Sequence, residues 1–207
     1  MSKQVEDYAS FSVRDFVAAT AAKTPTPGGG TVAGVVGALA TALGEMVLNF
    51  TRDKKAFADF AEMHESLASR FARARGMFLD LMADDAAAYI LYTEAARCED
   101  AGKSEKMASA LAAAINVPRE MTALAITVLD DLLKLAENCN KRLYTDLAAA
   151  AILAEAVVNL SNYNVRVNAA SLSDKRMADE ICQASARDCK RAKQRREKIE
   201  KIVSEYL

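Results

Sequence analysis

The sequence has few of the residues that usually hold metal ions, build disulfide frameworks or make sharp turns. Its 207 residues include one histidine, four cysteines, three prolines and no tryptophan. The cysteines form no CxxC pair, so together with a single imidazole they give little material for a zinc site. We expect reduced structural thiols and no bound metal.

Charge of one sign is also scarce. Lysine plus arginine number 27 and aspartate plus glutamate 28, which leaves a formal net charge of -1 at pH 7. This balance argues against a protein that works by neutralising many phosphates. The basic stretch RDCKRAKQRREKIEK, residues 187 to 201, has no interleaved aromatic residue and is interpreted as an exposed helix face. No nucleic-acid partner is predicted.

Signals for export and for membrane insertion are missing as well. The first residues, MSKQVEDYAS, are polar and acidic where a signal peptide needs a basic start, so a cytoplasmic location is expected. Residues 31 to 50 are long enough to span a bilayer, but Glu45 and Asn49 lie inside the run and no aromatic belt flanks it. No membrane contact is predicted, and we interpret the run as a buried central helix.

Helix-forming residues, by contrast, are abundant. Alanine, leucine, glutamate, lysine and arginine are plentiful and no stretch shows sustained period-two alternation, which predicts an all-α fold. We expect one domain over residues 1–207, built as an antiparallel bundle of about six helices. The helices are predicted at about residues 12–23, 30–51, 55–97, 104–137, 146–160 and from 173 to the C-terminus.

Short polar signals set several of these boundaries. Ser12 and Asp15 have the spacing of a capping box at the start of the first helix. Asp146 is placed to cap the fifth helix, and Asp174 falls in the first turn of the last one. These residues predict where three of the helices begin.

Three other features predict irregular helices. Gly76 allows a break in the third helix, and Pro118 is expected to kink the fourth because proline removes a backbone donor. The segment SNYNVRVN, residues 161 to 168, interrupts an alanine-rich pattern and is expected to end the fifth helix.

The stretch TPTPGGG, residues 24 to 30, stands directly before the central helix. A glycine-rich loop that enters a helix exposes backbone amides where an anion can bind. The stretch lacks the lysine of a Walker loop and follows a helix rather than a strand, so it fits neither common nucleotide motif. One reading is a tight turn in which glycine supplies a positive φ. The other is a loop shaped for close approach of a ligand, which three consecutive glycines favour.

Small residues continue into the central helix itself. Gly34, Ala38 and Ala42 lie four residues apart, and Gly37 and Gly44 follow a neighbouring line. This spacing predicts a helix that packs closely against another backbone.

The segment TPTPGGGTVAGVVGALATALGEMV resembles the signature of the formiminotransferase-cyclodeaminase C-terminal family, whose free-standing members include methenyltetrahydrofolate cyclohydrolases. The resemblance extends over residues 11 to 174, and its further landmarks follow in the family's order. They are Thr51, Lys54 and Lys55; Asp85, Ala88 and Tyr89; Val117 and Pro118; Asn140, Thr145 and Asp146; and the segment 164–168.

The resemblance implies an all-helical homodimer or larger assembly that acts on folate-bound one-carbon units without a metal or redox cofactor. A cyclohydrolase would add water to the methenyl bridge of 5,10-methenyltetrahydrofolate and give 10-formyltetrahydrofolate. A cyclodeaminase would close 5-formiminotetrahydrofolate to the same methenyl species and release ammonia. A third reading is a helical binding or scaffold protein that has lost the activity.

Either reaction needs a carboxylate near the reacting carbon. Asp85 lies mid-helix among alanines and is a candidate acid or base, with a simple ion pair as the alternative, whereas Asp84 points about 100° away and is expected to be solvated. Asp146 is the second candidate, with helix capping as its alternative role.

Folate binding is assigned to loop, lysine and asparagine residues. Each asparagine could instead hold a turn, and the lysine could be solvated. The proposed binding residues are Thr26, Pro27, Gly28, Gly29, Gly30, Lys54, Asn140, Asn164 and Asn168. His64, between Glu62 and Glu65, is interpreted as a surface residue.

The chain departs from the family pattern in a few places. Where the family usually has Leu-Pro-Lys, this chain has ARCEDAGKSEK, in which Lys103 is a candidate substitute. Cys139 and Ala148 replace family glycines, and Asp53 stands where a glycine often precedes the lysines. These changes leave open whether the activity or the substrate is altered.

Overall fold

The computed structural model describes residues 6–99 and 101–206, and these residues form an all-α bundle. No strand occurs in the described residues, which confirms the predicted fold class. Three short 3-10 segments lie at Tyr8–Ser10, Lys55–Phe60 and Lys141–Leu143. The α-helices are α1 (Val13–Ala21), α2 (Gly29–Asn49), α3 (Ala61–Arg97), α4 (Lys103–Glu137), α5 (Tyr144–Ala169) and α6 (Lys175–Ser204).

Helix α2 lies in the centre of the bundle and packs against α3 and α5. Helix α4 packs against α3, α5 and α6, and α5 also packs against α6. The connections between consecutive long helices are short, so neighbours in sequence run antiparallel. The start of α2, the last part of α3 and the last part of α5 therefore lie towards one end of the bundle.

The small residues of α2 allow the close packing that their spacing predicts. A Cβ atom added at Gly37 would lie 2.4 Å from Cδ1 of Phe78, and one at Gly34 would lie 2.7 Å from Cβ of Met82. At Gly44 the nearest atom would be Cδ2 of Leu132, at 2.7 Å. Side chains of α3 and α4 thus occupy the space that larger residues on α2 would need.

Two of the predicted helix starts are capped by side chains. The amide of Asp15 donates to Ser12 Oγ at 3.1 Å, and the Ser12 hydroxyl donates to Asp15 Oδ2 at 2.6 Å. At the start of α6, the amide of Met177 donates to Asp174 Oδ1 at 3.1 Å. Asp174 is therefore the cap itself rather than a residue of the first turn.

The predicted start of α5 is wrong, because Asp146 does not cap it. The helix begins at Tyr144 and its N-cap is Leu143, so Asp146 lies inside the first turn. Tyr144 is buried, and its hydroxyl donates to the carbonyl oxygen of Ala136 at 3.1 Å. This anchor fixes the chain in helical conformation before Asp146 is reached.

The predicted end of α5 is also wrong. The helix continues through residues 161 to 168 as far as Ala169. Ser161, Val165 and Ala169 are buried at four-residue spacing, so this segment has a core-facing side like the rest of the helix. Tertiary packing outweighs the low helix propensity of asparagine here.

The third and fourth helices are each a single α-helix, and the kink at Pro118 stays a prediction. Helix α3 passes through Gly76 without a break, and α4 continues through Pro118. The residues before α3, Lys55–Phe60, form a 3-10 segment instead of its first turns. A Cβ atom at Gly76 would meet nothing within 4 Å, so this glycine is not required by packing.

The basic stretch near the C-terminus is part of α6 and is exposed along much of its length. Two of its arginines are half-buried and join α6 to neighbouring helices. Arg195 Nε lies 2.5 Å from Asp130 Oδ1 of α4, and Arg196 Nε lies 2.6 Å from Glu155 Oε2 of α5. Part of the positive charge therefore holds the bundle together.

Candidate functional site

The N-terminus of α2 meets the carboxylate of Asp85, which α3 supplies. The Thr31 hydroxyl donates to Asp85 Oδ2 at 2.9 Å, and the backbone amide of Thr31 also donates to this carboxylate. A carboxylate at a helix N-terminus satisfies amides that have no partner within the helix and lies at the positive end of its dipole. Asp85 thus caps α2 from a different helix.

This arrangement requires a glycine at position 30. A Cβ atom there would lie 2.0 Å from Asp85 Oδ1, far inside contact distance. None of the glycines in the described residues has a positive φ, so the interpretation of the loop as a positive-φ turn is wrong. The group that approaches Gly30 closely is a carboxylate of the protein itself.

The other two glycines of the loop have more room. A Cβ atom at Gly28 would make an ordinary contact with the carbonyl oxygen of Pro25 at 3.5 Å, and one at Gly29 would meet nothing within 4 Å. Gly29 is exposed and Gly28 is half-buried. The first turn of α2 is therefore accessible beside Asp85, and its role in ligand binding stays a prediction.

The pKa of Asp85 is raised above the ordinary aspartate value of 3.8, mainly because burial disfavours the charged form. The two hydrogen bonds from Thr31 lower the pKa and only partly offset the effect of burial. A carboxyl group of this kind keeps its proton at a higher pH than a solvated aspartate and is suited to acid-base work.

Asp85 differs from its neighbour Asp84 in burial and in hydrogen bonding. Asp84 is exposed, as expected from the 100° turn between adjacent helix residues. Among the described residues Asp85 bonds to Thr31 rather than to a cation, so the ion-pair alternative is wrong. Sequence reasoning missed Thr31, although it stands three residues after the N-cap, a position from which a side chain can bond back to the N-cap amide.

Tyr8 supports the loop from the other side and was also missed. Its hydroxyl donates to Thr26 Oγ1 at 3.0 Å, and the side chain is buried with 5% exposure. Its ring makes edge contacts with Phe11 and Phe16, at centroid distances of 5.4 and 6.3 Å. The Thr26–Pro27 peptide is cis, and Pro27 is buried.

A second group of predicted residues surrounds the C-terminal end of α2. Thr51 is buried; its hydroxyl donates to the carbonyl oxygen of Val47 at 2.7 Å and accepts from the amide of Asn140 at 3.1 Å. Asn140 Oδ1 accepts from the amide of Arg142 at 3.3 Å, so this asparagine does hold a turn. Lys54 follows closely and is exposed.

Asp146 belongs to this second group by its place in the chain. It is half-buried in the first turn of α5, shortly after Asn140. Ala148, which replaces a family glycine, is half-buried two residues further along α5. Which of the two carboxylates, Asp85 or Asp146, acts as the base stays a matter of prediction.

Asn164 and Asn168 lie on one side of α5, one turn apart and both half-buried. The side-chain amide of Asn168 donates to the carbonyl oxygen of Ala114 in α4 at 2.8 Å. Because α5 begins beside the end of α2 and runs antiparallel to it, Asn164 lies about level with Thr31 along the bundle. The two asparagines thus belong to the Asp85 end.

The structure therefore divides the predicted residues between two ends of α2. Thr31 and Thr51 are 20 positions apart, which corresponds to about 30 Å at 1.5 Å per helical residue. We call the end at Thr31 the Asp85 end, and it includes the loop 26–30, Asn164 and Asn168. We call the end at Thr51 the Asn140 end, and it includes Lys54 and Asp146. A single chain does not bring the two ends together.

The interpretation of His64 as a surface residue is wrong. The side chain is 1% exposed, and its Nε2 lies 3.1 Å from the carbonyl oxygen of Asn138. Its sequence neighbours Glu62 and Glu65 point to other sides of α3 and are exposed. The missed signal is spacing, because His64 begins a buried stripe that continues through Leu67, Phe71, Ala74 and Phe78.

The cysteines are free, as expected. Burial raises the pKa of the Cys139 thiol to about 12, so this residue, which replaces a family glycine, is an inert packing group at neutral pH. No group of three or more histidine, cysteine, aspartate or glutamate side chains that could hold a metal occurs within residues 6–99 and 101–206. Lys103, the candidate substitute lysine, is exposed at the first residue of α4.

Two stretches are long and apolar enough to cross a membrane, namely α2 and the segment Lys141–Ala169 that contains α5. More than half of the apolar window of α2 is buried inside the bundle. Glu45, which lies within α2, pairs with Arg75 of α3 at 3.0 Å. These features of α2 are those of a core helix in a bundle.

Known proteins share both the sequence pattern and the fold. A methenyltetrahydrofolate cyclohydrolase from Methylorubrum extorquens is 29% identical over 175 residues, which cover 82% of this chain and 84% of the relative. The formimidoyltransferase-cyclodeaminase of Gallus gallus is 26% identical over 185 residues, but this chain spans only 34% of that protein's length.

A solved structure agrees with these sequence relatives. The crystal structure of formiminotetrahydrofolate cyclodeaminase from Thermotoga maritima superposes with a TM-score of 0.87 and 31% identity, covering 95% of this chain and 97% of that chain. The sequence model of the formiminotransferase-cyclodeaminase family matches residues 12–187. By this match, the chain belongs to the formiminotransferase-cyclodeaminase family.

Proposed function

We propose that the protein is a folate one-carbon enzyme, a methenyltetrahydrofolate cyclohydrolase that converts 5,10-methenyltetrahydrofolate and water to 10-formyltetrahydrofolate. The Methylorubrum cyclohydrolase, which this chain matches over most of the length of both proteins, supports this assignment. The structural observation that carries it is the Asp85 carboxylate, with its raised pKa, held against Thr31 at an accessible helix terminus.

The chemistry needs proton transfers to and from the oxygen and nitrogen atoms bound to one carbon. Water attacks the cationic carbon between N5 and N10, and one of its protons passes to a carboxylate. As the C–N5 bond of the tetrahedral intermediate breaks, N5 takes up the proton from the carboxylic acid, the hydroxyl oxygen becomes the formyl oxygen, and the hydroxyl proton is released to solvent. A carboxyl group whose pKa is raised can accept the proton of the water and then give it to N5. We assign this role to Asp85, with Asp146 as the competing residue.

The second candidate activity is that of a formiminotetrahydrofolate cyclodeaminase. It is favoured by the Thermotoga structure, which is named for that activity and matches almost the whole of both chains. There N5 carries the formimino group, N10 attacks its carbon, and ammonia leaves. The same tetrahedral carbon between N5 and N10 is formed, so the same carboxylate would serve both reactions.

Two assays separate these activities. The absorbance of methenyltetrahydrofolate should decay faster with the purified protein than without it, and Asp85→Asn should remove the acceleration. Ammonia release from 5-formiminotetrahydrofolate would instead establish the cyclodeaminase. Asp84→Asn is the matched control, since Asp84 is adjacent but exposed. Absence of turnover and of folate binding would leave a helical scaffold protein.

We further propose that the working unit is a homodimer in which the Asp85 end of one chain meets the Asn140 end of a second. The two ends are about 30 Å apart within one chain. Five surface clefts of 320 to 530 Å³ lie elsewhere on the described residues, and none of the five is lined by a predicted site residue. If a two-fold axis crosses the middle of α2, the Asp85 end of each chain meets the Asn140 end of the other, so the dimer has two such sites.

The outer surfaces of α2 and α5 support this pairing. The least covered side of α2 is an apolar stripe at three- and four-residue spacing, in which Leu39 is exposed and Val32, Val35, Ala42 and Met46 are half-buried. On α5, Ile152 is 50% exposed, and on α2 Leu39 is 55% exposed. Exposed apolar side chains on adjacent helices are typical of subunit contacts.

Leu39→Glu tests the dimer, because a charge in the apolar stripe should give a monomer in analytical ultracentrifugation and reduce turnover. Intersubunit complementation tests the shared site. At substrate concentrations too low for Asn140→Ala chains to turn over alone, coexpression of Asp85→Asn and Asn140→Ala chains should restore about a quarter of the wild-type sites, since half the dimers are mixed and each has one intact site. A monomeric wild type, or no restored activity, would contradict the shared site.

We propose no cofactor beyond the tetrahydrofolate that carries the one-carbon unit. Addition of water to a cationic carbon requires proton transfers and no change of oxidation state, so treatment with a chelator should leave the rate unchanged. The cytoplasmic location also stays a proposal, which fractionation of the source cells would test.

A further inference from the structure

We propose that His64 is a positioning residue that fixes the turn 138–140 and thereby the place of Asn140 in the substrate site. The inference rests on the proposed function only for the role of Asn140. The contact itself, between a buried imidazole and a backbone carbonyl, is a feature of the structure. No sequence signal near His64 points to this role.

The tautomer of His64 follows from its partner. A carbonyl oxygen can only accept a hydrogen bond, so Nε2, which lies 3.1 Å from the carbonyl oxygen of Asn138, must carry the proton and donate it. Nδ1 has no hydrogen-bond partner among the described residues. The contact therefore uses Nε2 as the donor and leaves Nδ1 unpaired within the described part of the chain.

The ring is held firmly in its position. It is 1% exposed and contacts two aromatic side chains of the 3-10 segment, Phe57 and Phe60, at centroid distances of 6.4 and 6.3 Å. An apolar side chain would fill this space without leaving a buried imidazole nitrogen unpaired, which is unfavourable. The imidazole, unlike an apolar side chain, donates a hydrogen bond to the carbonyl oxygen of Asn138.

The turn that receives this bond is tethered a second time. The amide of Asn140 donates to Thr51 Oγ1 at 3.1 Å. His64 is on α3 and Thr51 follows α2, so two separate elements hold a turn of three residues. The turn also contains Cys139, which is buried between the two tethered residues. Loss of either tether should therefore loosen the backbone that carries the Asn140 side chain.

Amide hydrogen exchange tests the tether without any substrate. In His64→Phe, which keeps an aromatic ring but cannot donate, exchange of the Asn140 amide should become about tenfold faster or more. His64→Gln, whose side-chain amide can donate to the same carbonyl, should recover part of the protection. Unchanged exchange at Asn140 in a folded His64→Phe protein would overturn the tether.

A double-mutant cycle tests whether the tether serves the site. His64→Phe should lower kcat/KM by about tenfold in the wild-type background but by less than about twofold in the Asn140→Ala background. A general loss of folding would reduce both backgrounds equally and overturn the positioning role. Circular dichroism melts of all four proteins check that they are folded.

The proposed function and the positioning role of His64 can be contradicted independently of each other. A wild type without folate turnover would overturn the proposed function and with it the catalytic role of Asn140, while the exchange experiment would still decide whether His64 holds the turn. An active wild type in which the two substitutions have additive effects would retain the function and overturn the positioning role of His64.

Discussion

The two ends of α2 are built in different ways. At the Asp85 end, a carboxylate from one long helix caps the first turn of another, and a missing side chain at Gly30 makes the contact possible. At the Asn140 end, a short turn is tied to Thr51 and to His64, and Lys54, three residues after Thr51, is exposed. The structure of the Asp85 end is fixed by the packing of two helices, and that of the Asn140 end by hydrogen bonds to a short turn.

This difference indicates a division of work. Proton transfer needs a carboxyl group whose environment is fixed and partly dry, and the burial that raises the pKa of Asp85 supplies it. Recognition of an anionic ligand tolerates a solvated lysine and a loop, as at the Asn140 end. The comparison predicts that substitutions at the Asp85 end reduce kcat and that those at the Asn140 end mainly raise KM.

The largest expected effect belongs to the carboxylate. Asp85→Asn should lower kcat by about 10²–10⁴-fold, the usual contribution of general acid-base catalysis, while the protein remains folded. Stopped-flow absorbance of methenyltetrahydrofolate measures the change. Asp84→Asn should stay close to wild type.

Asp146→Asn provides the test between the two ends. If Asp85 is the acid-base group, this variant should change KM more than kcat. A greater loss of kcat in Asp146→Asn than in Asp85→Asn would show that proton transfer takes place at the Asn140 end and would contradict the division of work.

The second expected effect compares two adjacent glycines. Gly30→Ala places a Cβ 2.0 Å from Asp85 Oδ1, so it should displace the carboxylate, destabilise the protein by about 1–3 kcal/mol and reduce kcat. Gly29→Ala has nothing within 4 Å and should be neutral or stabilising by up to about 1 kcal/mol. Urea denaturation and steady-state kinetics of both variants measure these effects. Equal destabilisation by both would contradict the structural reading.

Sequence reasoning recovered what depends on neighbours along the chain. The cap at Ser12 and the close packing at Gly34 and Gly37 follow from patterns within a few residues of one another. Asp85 could be singled out as well, since a carboxylate among alanines needs a reason to be there.

The partners of these residues could not be predicted in the same way. Thr31 and Asp85 are 54 positions apart, and Tyr8 and Thr26 are 18 apart, so only the tertiary fold brings them together. The error at Asp146 has the same origin, because the buried Tyr144 starts α5 earlier than the local capping pattern suggests. For His64, local charge was given more weight than the buried stripe to which it belongs.

A smaller effect is expected at the tethered turn. Thr51→Val removes the hydroxyl that accepts from the Asn140 amide, and should cost about 1 kcal/mol of unfolding free energy and raise KM. Thr127→Val is a matched control, since the Thr127 hydroxyl also bonds to the carbonyl oxygen four residues before it but is exposed. The control should change stability by less than about 0.5 kcal/mol. A fall in kcat with unchanged KM in Thr51→Val would show that this end takes part in the chemistry.

The smallest effect concerns pH and bears on why the Asp85 end is built as it is. The folded-state pKa of Asp85 is raised above 3.8, so between that value and the raised pKa the folded protein binds more protons than the unfolded chain. The contribution of Asp85 to stability must therefore fall as pH increases through this window, and become constant above it. Asp85→Asn removes this dependence, so the unfolding free energy of the variant should gain on that of the wild type as pH rises. Urea denaturation of both proteins from pH 4 to pH 8 measures the difference. A wild type that instead gains stability over the variant with rising pH would mean that the bonds from Thr31 outweigh burial, and that Asp85 is a structural cap like Asp174 rather than a group prepared to exchange a proton.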